Sequence, residues 1–399
     1  MLSNIKTILT DIRLLLILIL YTICNIMGYS STSKYIIVAL VLLITFFELP
    51  SIIRNKLKWH YSMSLLLAFS LWGLLSYLWA LDGDIVIGRF FSLLILDLFY
   101  IVSWNIFVYR KDSIDIITTI IILSGIIMSC YVINFYGIIN YFNLLSKGIR
   151  AGQEITNVNY IGLNAIMSVI CCFYKYIKEK KLYYIFLMII PLLVAFGTGS
   201  RKVIISFIFS VFALEIFQKS NNVLVFIKKS FRFVILFGLI FSLLKLPIFS
   251  SINERFTSFT NLFSENAATD SSTLARKRLI NLGLEIWNEN IIGGIGMNGT
   301  LSNSFNLGTY LHNNYVELLA TVGLVGFMLY YLLYFISLIK LLFYRKYDID
   351  KILILLLIII NLLLDIACVS YYSFQNYVYF ILILNYIYKN CEVGEKHEY

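Results

Sequence analysis

Long apolar segments recur from one end of the chain to the other, with little polar sequence between most of them, and this decides the solvent before any fold is considered. They centre on Leu14–Met27, Tyr35–Leu49, Tyr61–Ala80, Phe90–Tyr109, Ile114–Phe135 and Tyr160–Tyr176. The series continues with Leu182–Phe196, Val203–Phe217, Phe231–Phe249, Val316–Phe343, Ile352–Val369 and Tyr372–Tyr388. A helix crosses a hydrocarbon layer of about 30 Å with roughly 17–25 apolar residues. With 60% hydrophobic residues, 14% charged and a mean hydropathy of +0.84, the chain carries more apolar surface than one soluble core can bury. In lipid only helices and closed barrels satisfy their own backbone. The expected fold is therefore all-α and integral to the membrane: one polytopic domain over residues 1–399 with about twelve transmembrane helices.

The formal charge of +10 does not mark a nucleic-acid surface. With the N-terminus inside, most of the 32 basic residues fall in loops on the inner side, among them Arg54, Lys56, Lys58, Arg110, Lys111, Lys178, Lys180 and Lys181. That asymmetry follows the positive-inside rule, so basic charge sets topology here and no nucleic-acid partner is expected. The first apolar segment lacks a small-residue cleavage site and is expected to stay as a helix. The six cysteines lie in or near apolar segments without metal-ligand spacing and read as small apolar residues.

Two connections are longer than the others, and this topology puts both outside. The first runs over 137–159 and the second over 250–311. Long loops in compact proteins commonly carry function. Within the second, Ser271, Ser272 or Thr273 is placed to cap a helix over about 273–288. Lys277, Arg278, Asn281, Glu285, Asn288 and Glu289 share one helical arc, and Leu279, Ile280, Leu282, Ile286 and Trp287 the opposite one, which makes the helix amphipathic. Arg276 sits near the middle of the apolar arc. Either it snorkels outward from the helix start or it points into a polar cavity and meets an anion.

The chemistry concentrates downstream. Gly293, Gly294, Gly296 and Gly299 permit tight turns, and His312-Asn313-Asn314-Tyr315 then opens a helix running into Gly-Leu-Val-Gly at 323–326. An arginine ahead of a Gly-x-Gly, followed by His-Asn-x-Tyr and Gly-Leu-x-Gly, resembles the C-terminal signature of the O-antigen ligase and polysaccharide repeat-unit polymerase superfamily. Arg150-Ala151-Gly152 with Asn157-Val158-Asn159 resembles that family's Arg-x-Gly…Asn-Pro-Asn loop, and Gly199-Ser200-Arg201 its Ser-Arg-Gly signature. Three positions depart from the pattern: Val158 and Ile291 replace prolines, and Lys202 replaces a glycine.

The resemblance implies a bundle like that of polyprenol-dependent membrane glycosyltransferases, in the bacterial cytoplasmic membrane with its active site facing outward. It implies a substrate glycan carried on undecaprenyl pyrophosphate, membrane lipids as surroundings, and chain-length regulator and flippase proteins of the same pathway as partners. Guanidinium forks bind phosphate oxygens while keeping their charge, so Arg150, Arg201 and Arg276 are candidates to hold the departing pyrophosphate without a metal or other cofactor. His312 is the candidate base, with helix capping as its alternative role. Tyr315, Asn313, Asn159 and Glu317 are candidate substrate contacts; capping, turn and interfacial roles are open to the first three, and Glu317 can orient His312 or simply face the loop. The function expected is polymerisation of lipid-linked repeat units of O-antigen or capsule. Ligation of the finished glycan to a lipid or other acceptor is the alternative, and a transporter of polysaccharide or lipid-linked sugar the alternative from another class; Glu48, Asp97, Glu215 and Asp365, acids in or near apolar segments, are what that last reading has to offer.

Overall fold

In a computed structural model the described residues are 1–28, 31–217, 271–302 and 309–393, with isolated positions 228, 231, 235, 238 and 242. The expected span Phe231–Phe249, the first part of the long connection (250–270) and the side chains of Ser271, Ser272 and Thr273 lie outside them. Among the described residues all regular structure is helical. The helices are α1 (Leu2–Thr10), α2 (Ile12–Met27), α3 (Ser31–Asn55), α4 (Tyr61–Leu75), α5 (Gly83–Val108), α6 (Ser113–Tyr136), α7 (Ile138–Ser146), α8 (Val158–Glu179), α9 (Tyr183–Gly197) and α10 (Arg201–Ile216). After the undescribed stretch follow α11 (Ser271–Glu289), α12 (Asn314–Phe343), α13 (Ile349–Asp365) and α14 (Phe374–Ile387).

The chain is a multi-pass helical membrane protein, but a count of twelve crossings is not supported. Among the described residues six helices (α3 from Ser33, α4 with the turn after it, α5, α6, α8 and α12) are long and apolar enough to cross, or seven if α1 and α2, bent by 101°, form one broken span. Part of the shortfall is a matter of length, and the expected span Phe231–Phe249 is outside the described residues. At 1.5 Å per residue, α9 with 15 residues and α14 with 14 reach little more than 20 Å, short of the ~30 Å layer. The connection over 137–159, expected as a loop, contains the short helix α7, whose Tyr141 is buried while Ile138 and Ile139 are exposed.

Two compact units divide the chain, one of residues 1–40, 114–268 and 346–356, the other of 41–113, 269–345 and 357–399. In the first, α8 packs against α2, α9 and α10. Small residues let the backbones close up: a Cβ on Gly125 of α6 would stand 2.3 Å from that of Ser168 on α8. Polar side chains tie the same helices, with Asn25 donating to Ser124 at 2.8 Å. Near the lysine-rich end of α8, the buried Lys175 pairs with Asp115, and Lys178 bridges Asp115 and Asp350. In the second unit, α4 packs on α5 and α12, α14 on α5 and α12, and the amphipathic α11 on α12.

The expected unbroken helix over Val316–Phe343 is instead kinked at Gly323, whose φ of 65° and ψ of −170° are not helical. The glycine-rich turn 291–296 fills the break. Ile295 and Gly296 donate to the carbonyls of Ala320 and Thr321 at 3.0 and 2.9 Å, and Leu324 donates to that of Ile291 at 2.8 Å. The indole N–H of Trp72 serves the Val322 carbonyl at 2.9 Å, and that of Trp79 the Gly294 carbonyl at 3.1 Å. Backbone groups freed from a helix at membrane depth must find such partners, which is why the break and the glycine turn come as a pair.

Candidate active site

The break leaves a short half-helix, Asn314–Val322, and the segment leading into it carries most of the expected site. Asn313 caps it, its side chain accepting from the Val316 N–H at 3.1 Å. Asn314 does not cap. Its amide donates to Tyr331 at 2.8 Å and Asp365 at 3.3 Å, and its oxygen accepts from the N–H groups of Ser370 and Tyr371. Tyr315 turns away from His312: its hydroxyl donates to the Leu362 carbonyl at 2.8 Å and its ring stacks on Tyr331.

Glu317 is buried, with both oxygens engaged. One accepts from the hydroxyl of Thr300 and the other from the Leu311 N–H, each at 2.8 Å. The carboxylate therefore clamps the backbone immediately before His312 to the turn after the glycine segment, which makes it an organiser of the histidine's position through the main chain. His312 itself has a φ of 58°, in the left-handed region uncommon for residues with a side chain, and its ring lies 4.3 Å from that of Tyr310. It precedes the cap residue Asn313, so it stands just outside the helix the sequence placed it on. Strain of this kind persists only where neighbours enforce it, and Glu317 is such a neighbour. Replacing Glu317 by glutamine is expected to lower the unfolding midpoint of the purified protein. An amide in that place cannot accept from both donors, and an orphaned buried N–H costs about 1–3 kcal/mol; an unchanged midpoint would mean that the clamp is idle.

Arg276 lies on the packed side of α11. Leu279, Ile280, Leu282 and Ile286 of that side meet Ile295, Leu311, Val316 and Ala320. Gly283, two turns after Arg276 on the same face, approaches so closely that a Cβ would stand 2.5 Å from side-chain atoms of Leu311 and Val316. Arg276 is half-buried. Burial pushes the Tyr310 hydroxyl above its usual pKa and the Arg276 charge opposes the rise, so the guanidinium acts on the segment that carries His312.

In the other unit, Arg150 donates to the Thr198 carbonyl at 2.7 Å and to the Asn159 side chain at 2.9 Å. Ala151 donates to the Gly197 carbonyl at 3.0 Å, which pins the Arg150 loop to the turn Gly197–Ser200 from which Arg201 opens α10. Asn157 caps α8, and Val158 is the first helical residue, a position where proline also fits; that departure from the family pattern therefore leaves the turn intact. Arg201 and Lys202 put two cations at a helix N-terminus, where the dipole favours anions.

Arg89 stands one residue before the apolar run counted from Phe90 and outside every motif named above. From α5 it donates to Asn298 at 3.0 Å, and its guanidinium carbon lies 3.8 Å from the centroid of the Tyr372 ring. Burial raises the Tyr372 hydroxyl to about 12, with the Arg89 charge opposing. Its signal was an arginine at the mouth of a span on the side expected to be outside. Among the described residues no three His, Cys, Asp or Glu side chains are grouped to hold a metal ion. Each unit thus offers fixed cations, and the second adds an imidazole on a constrained backbone, the equipment for binding an anionic leaving group and accepting a proton.

No curated protein matches the chain. The family model described as O-antigen ligase matches residues 184–331, a stretch that contains Arg201, Arg276, His312, Asn313, Tyr315 and Glu317 and excludes Arg89, Arg150 and Asn159. Over residues 184–331, then, this membrane protein is similar to the O-antigen ligase family.

Proposed function

We propose that the protein is a glycosyltransferase that polymerises lipid-linked oligosaccharide repeat units, moving a growing O-antigen or capsular glycan from undecaprenyl pyrophosphate to a sugar hydroxyl of another lipid-linked repeat on the outer face of the cytoplasmic membrane. The observation that carries the glycan-transfer part of this reading is the match to the O-antigen ligase family model, which includes the constrained His312 and its clamp. In this reading His312 accepts the proton of the acceptor hydroxyl as its oxygen attacks the anomeric carbon. The bond from that carbon to the pyrophosphate oxygen breaks, and Arg276 stabilises the charge left on the pyrophosphate; Arg201, Arg150 and Asn159, which belong to the other unit, take their proposed substrate-holding roles from the family resemblance alone. Guanidinium groups supply the charge that a divalent ion would otherwise provide, so the transfer needs no metal.

Purified protein given lipid-linked repeat units alone should build a ladder of longer lipid-linked glycans, at the same rate with and without EDTA. Product formed only when a separate lipid or protein acceptor is added would make the enzyme a ligase. Loss of activity in EDTA, restored by magnesium, would overturn the metal-free chemistry. No product with any acceptor would overturn glycan transfer itself.

A further inference from the structure

Arg89 has no part in the chemistry just proposed and lies outside the matched stretch, yet its setting is that of a built site. Its guanidinium is fixed on two sides, by the ring of Tyr372 at 3.8 Å and by the side-chain oxygen of Asn298 at 3.0 Å. Tyr371 adds a second ring 5.9 Å away. An arginine has five N–H donors. Among the described residues Arg89 spends one, forms no ion pair, and keeps its Nε buried without a hydrogen-bond partner. The carboxylate whose charge acts on it, Glu317, has each oxygen taken by another donor. A buried charged donor left unmatched is costly, so the arrangement is poised for a ligand that brings acceptors.

The chemistry of that ligand follows from the donors. A planar cation with its face already covered by a tyrosine offers no platform for a sugar ring, but its N–H edges match the paired oxygens of a phosphate. Asn298 has a φ of 63°, in a turn whose next residues, Gly299 and Thr300, lead to the Thr300–Glu317 hydrogen bond. The mount of Arg89 is thereby joined through a few covalent and hydrogen bonds to the clamp that sets His312.

We propose that Arg89, mounted on Tyr372 and Asn298, is a binding subsite for the pyrophosphate of the lipid-linked donor. The proposal rests on the transferase reading for the source of the pyrophosphate, but its test does not require turnover. Full-length protein in detergent is titrated with inorganic pyrophosphate at constant ionic strength, and the unfolding midpoint is followed. Wild type should be stabilised progressively. Arg89→Gln should weaken the apparent affinity at least tenfold, and Arg89→Lys, which keeps the charge without the fork, should fall between the two. Asn298→Asp guards against misfolding. Aspartate tolerates the left-handed backbone and would occupy the Arg89 donors with a carboxylate of its own, so it should also weaken pyrophosphate binding at least tenfold. If Arg89→Gln lowers the midpoint but retains the full pyrophosphate-induced shift, Arg89 is only a counter-charge for Glu317 and the proposal falls. It falls equally if wild type is not stabilised at all. A parallel arm with anionic phospholipid in place of pyrophosphate separates the sources: a shift lost in Arg89→Gln with phospholipid alone would reassign the subsite to bulk lipid headgroups. If pyrophosphate binding depends on Arg89 while no glycan is transferred, the subsite stands and the transferase reading fails.

Discussion

Replacing Gly323 by alanine is expected to give a protein that still enters the membrane but unfolds well below wild type and transfers no glycan. Gly323 holds a φ of 65° and a ψ of −170°, a conformation open essentially to glycine alone. A Cβ there would stand 2.2 Å from the carbonyl oxygen of Ile292, 2.4 Å from its carbon and 2.6 Å from the nitrogen of Gly293. None of these is a flexible side chain, so the glycine turn must separate from the helix break. Backbone strain of about 1–3 kcal/mol is the smaller part of the cost. Separation also releases the bonds of Ile295, Gly296 and Leu324 across the break, at about 1 kcal/mol each, in surroundings where water does not replace them. The same turn carries Asn298 and Thr300, so Arg89 and the Glu317 clamp lose their partners with it. The comparison is Gly88→Ala, where an added Cβ meets nothing within 4 Å and stability should hold or rise slightly. Equal behaviour of the two variants in thermal unfolding and in transfer would show that the break is dispensable.

Most of the helices were legible because a membrane segment announces itself locally. Ile114–Phe135 was expected and Ser113–Tyr136 is found; Tyr160–Tyr176 was expected and Val158–Glu179 is found. Number of crossings was less legible, since a run of apolar residues such as Tyr372–Tyr388 does not reveal that its first turn is irregular and its helix begins only at Phe374. The break at Gly323 was hidden for a different reason. Glycine is common in membrane helices, and only its pairing with a turn some thirty residues earlier, with Trp72 and Trp79 closing the open carbonyls, distinguishes this one. The candidate site divides in the same way. Arg276 is visible as a charge in the middle of an apolar arc, and His312 through the His-Asn-x-Tyr block that resembles the family signature. Arg89 and Thr300 acquire meaning only from partners distant in sequence, Tyr372 for one and Glu317 for the other.

The second large effect is expected at His312. His312→Asn should lower kcat about 10²–10⁴-fold, the usual worth of a positioned proton acceptor, while donor binding changes little. Asparagine is the instructive replacement because it also accepts a left-handed backbone, so the φ of 58° and the Leu311–Glu317 bond survive and only the imidazole is lost. Alanine would confound the loss of the base with relaxation of the turn. Arg276→Ala on the apolar-packed face of α11 should be as damaging to transfer, but by another route. Leaving-group stabilisation acts in the transition state whichever acceptor is used, so its loss should persist with every acceptor tested, and pyrophosphate should bind less well. The pair separates the roles. If His312→Asn retains wild-type kcat, the histidine is a strained turn residue and the base lies elsewhere. If instead His312→Asn loses donor affinity with kcat intact, the imidazole belongs with Arg276 and Arg89 as a group that holds the pyrophosphate, and acceptor activation must be sought in a different side chain. Only a loss confined to kcat, alongside a protein that unfolds at the wild-type temperature, supports proton transfer through His312, and in that case the Glu317 clamp one residue upstream is what holds the imidazole in register for it.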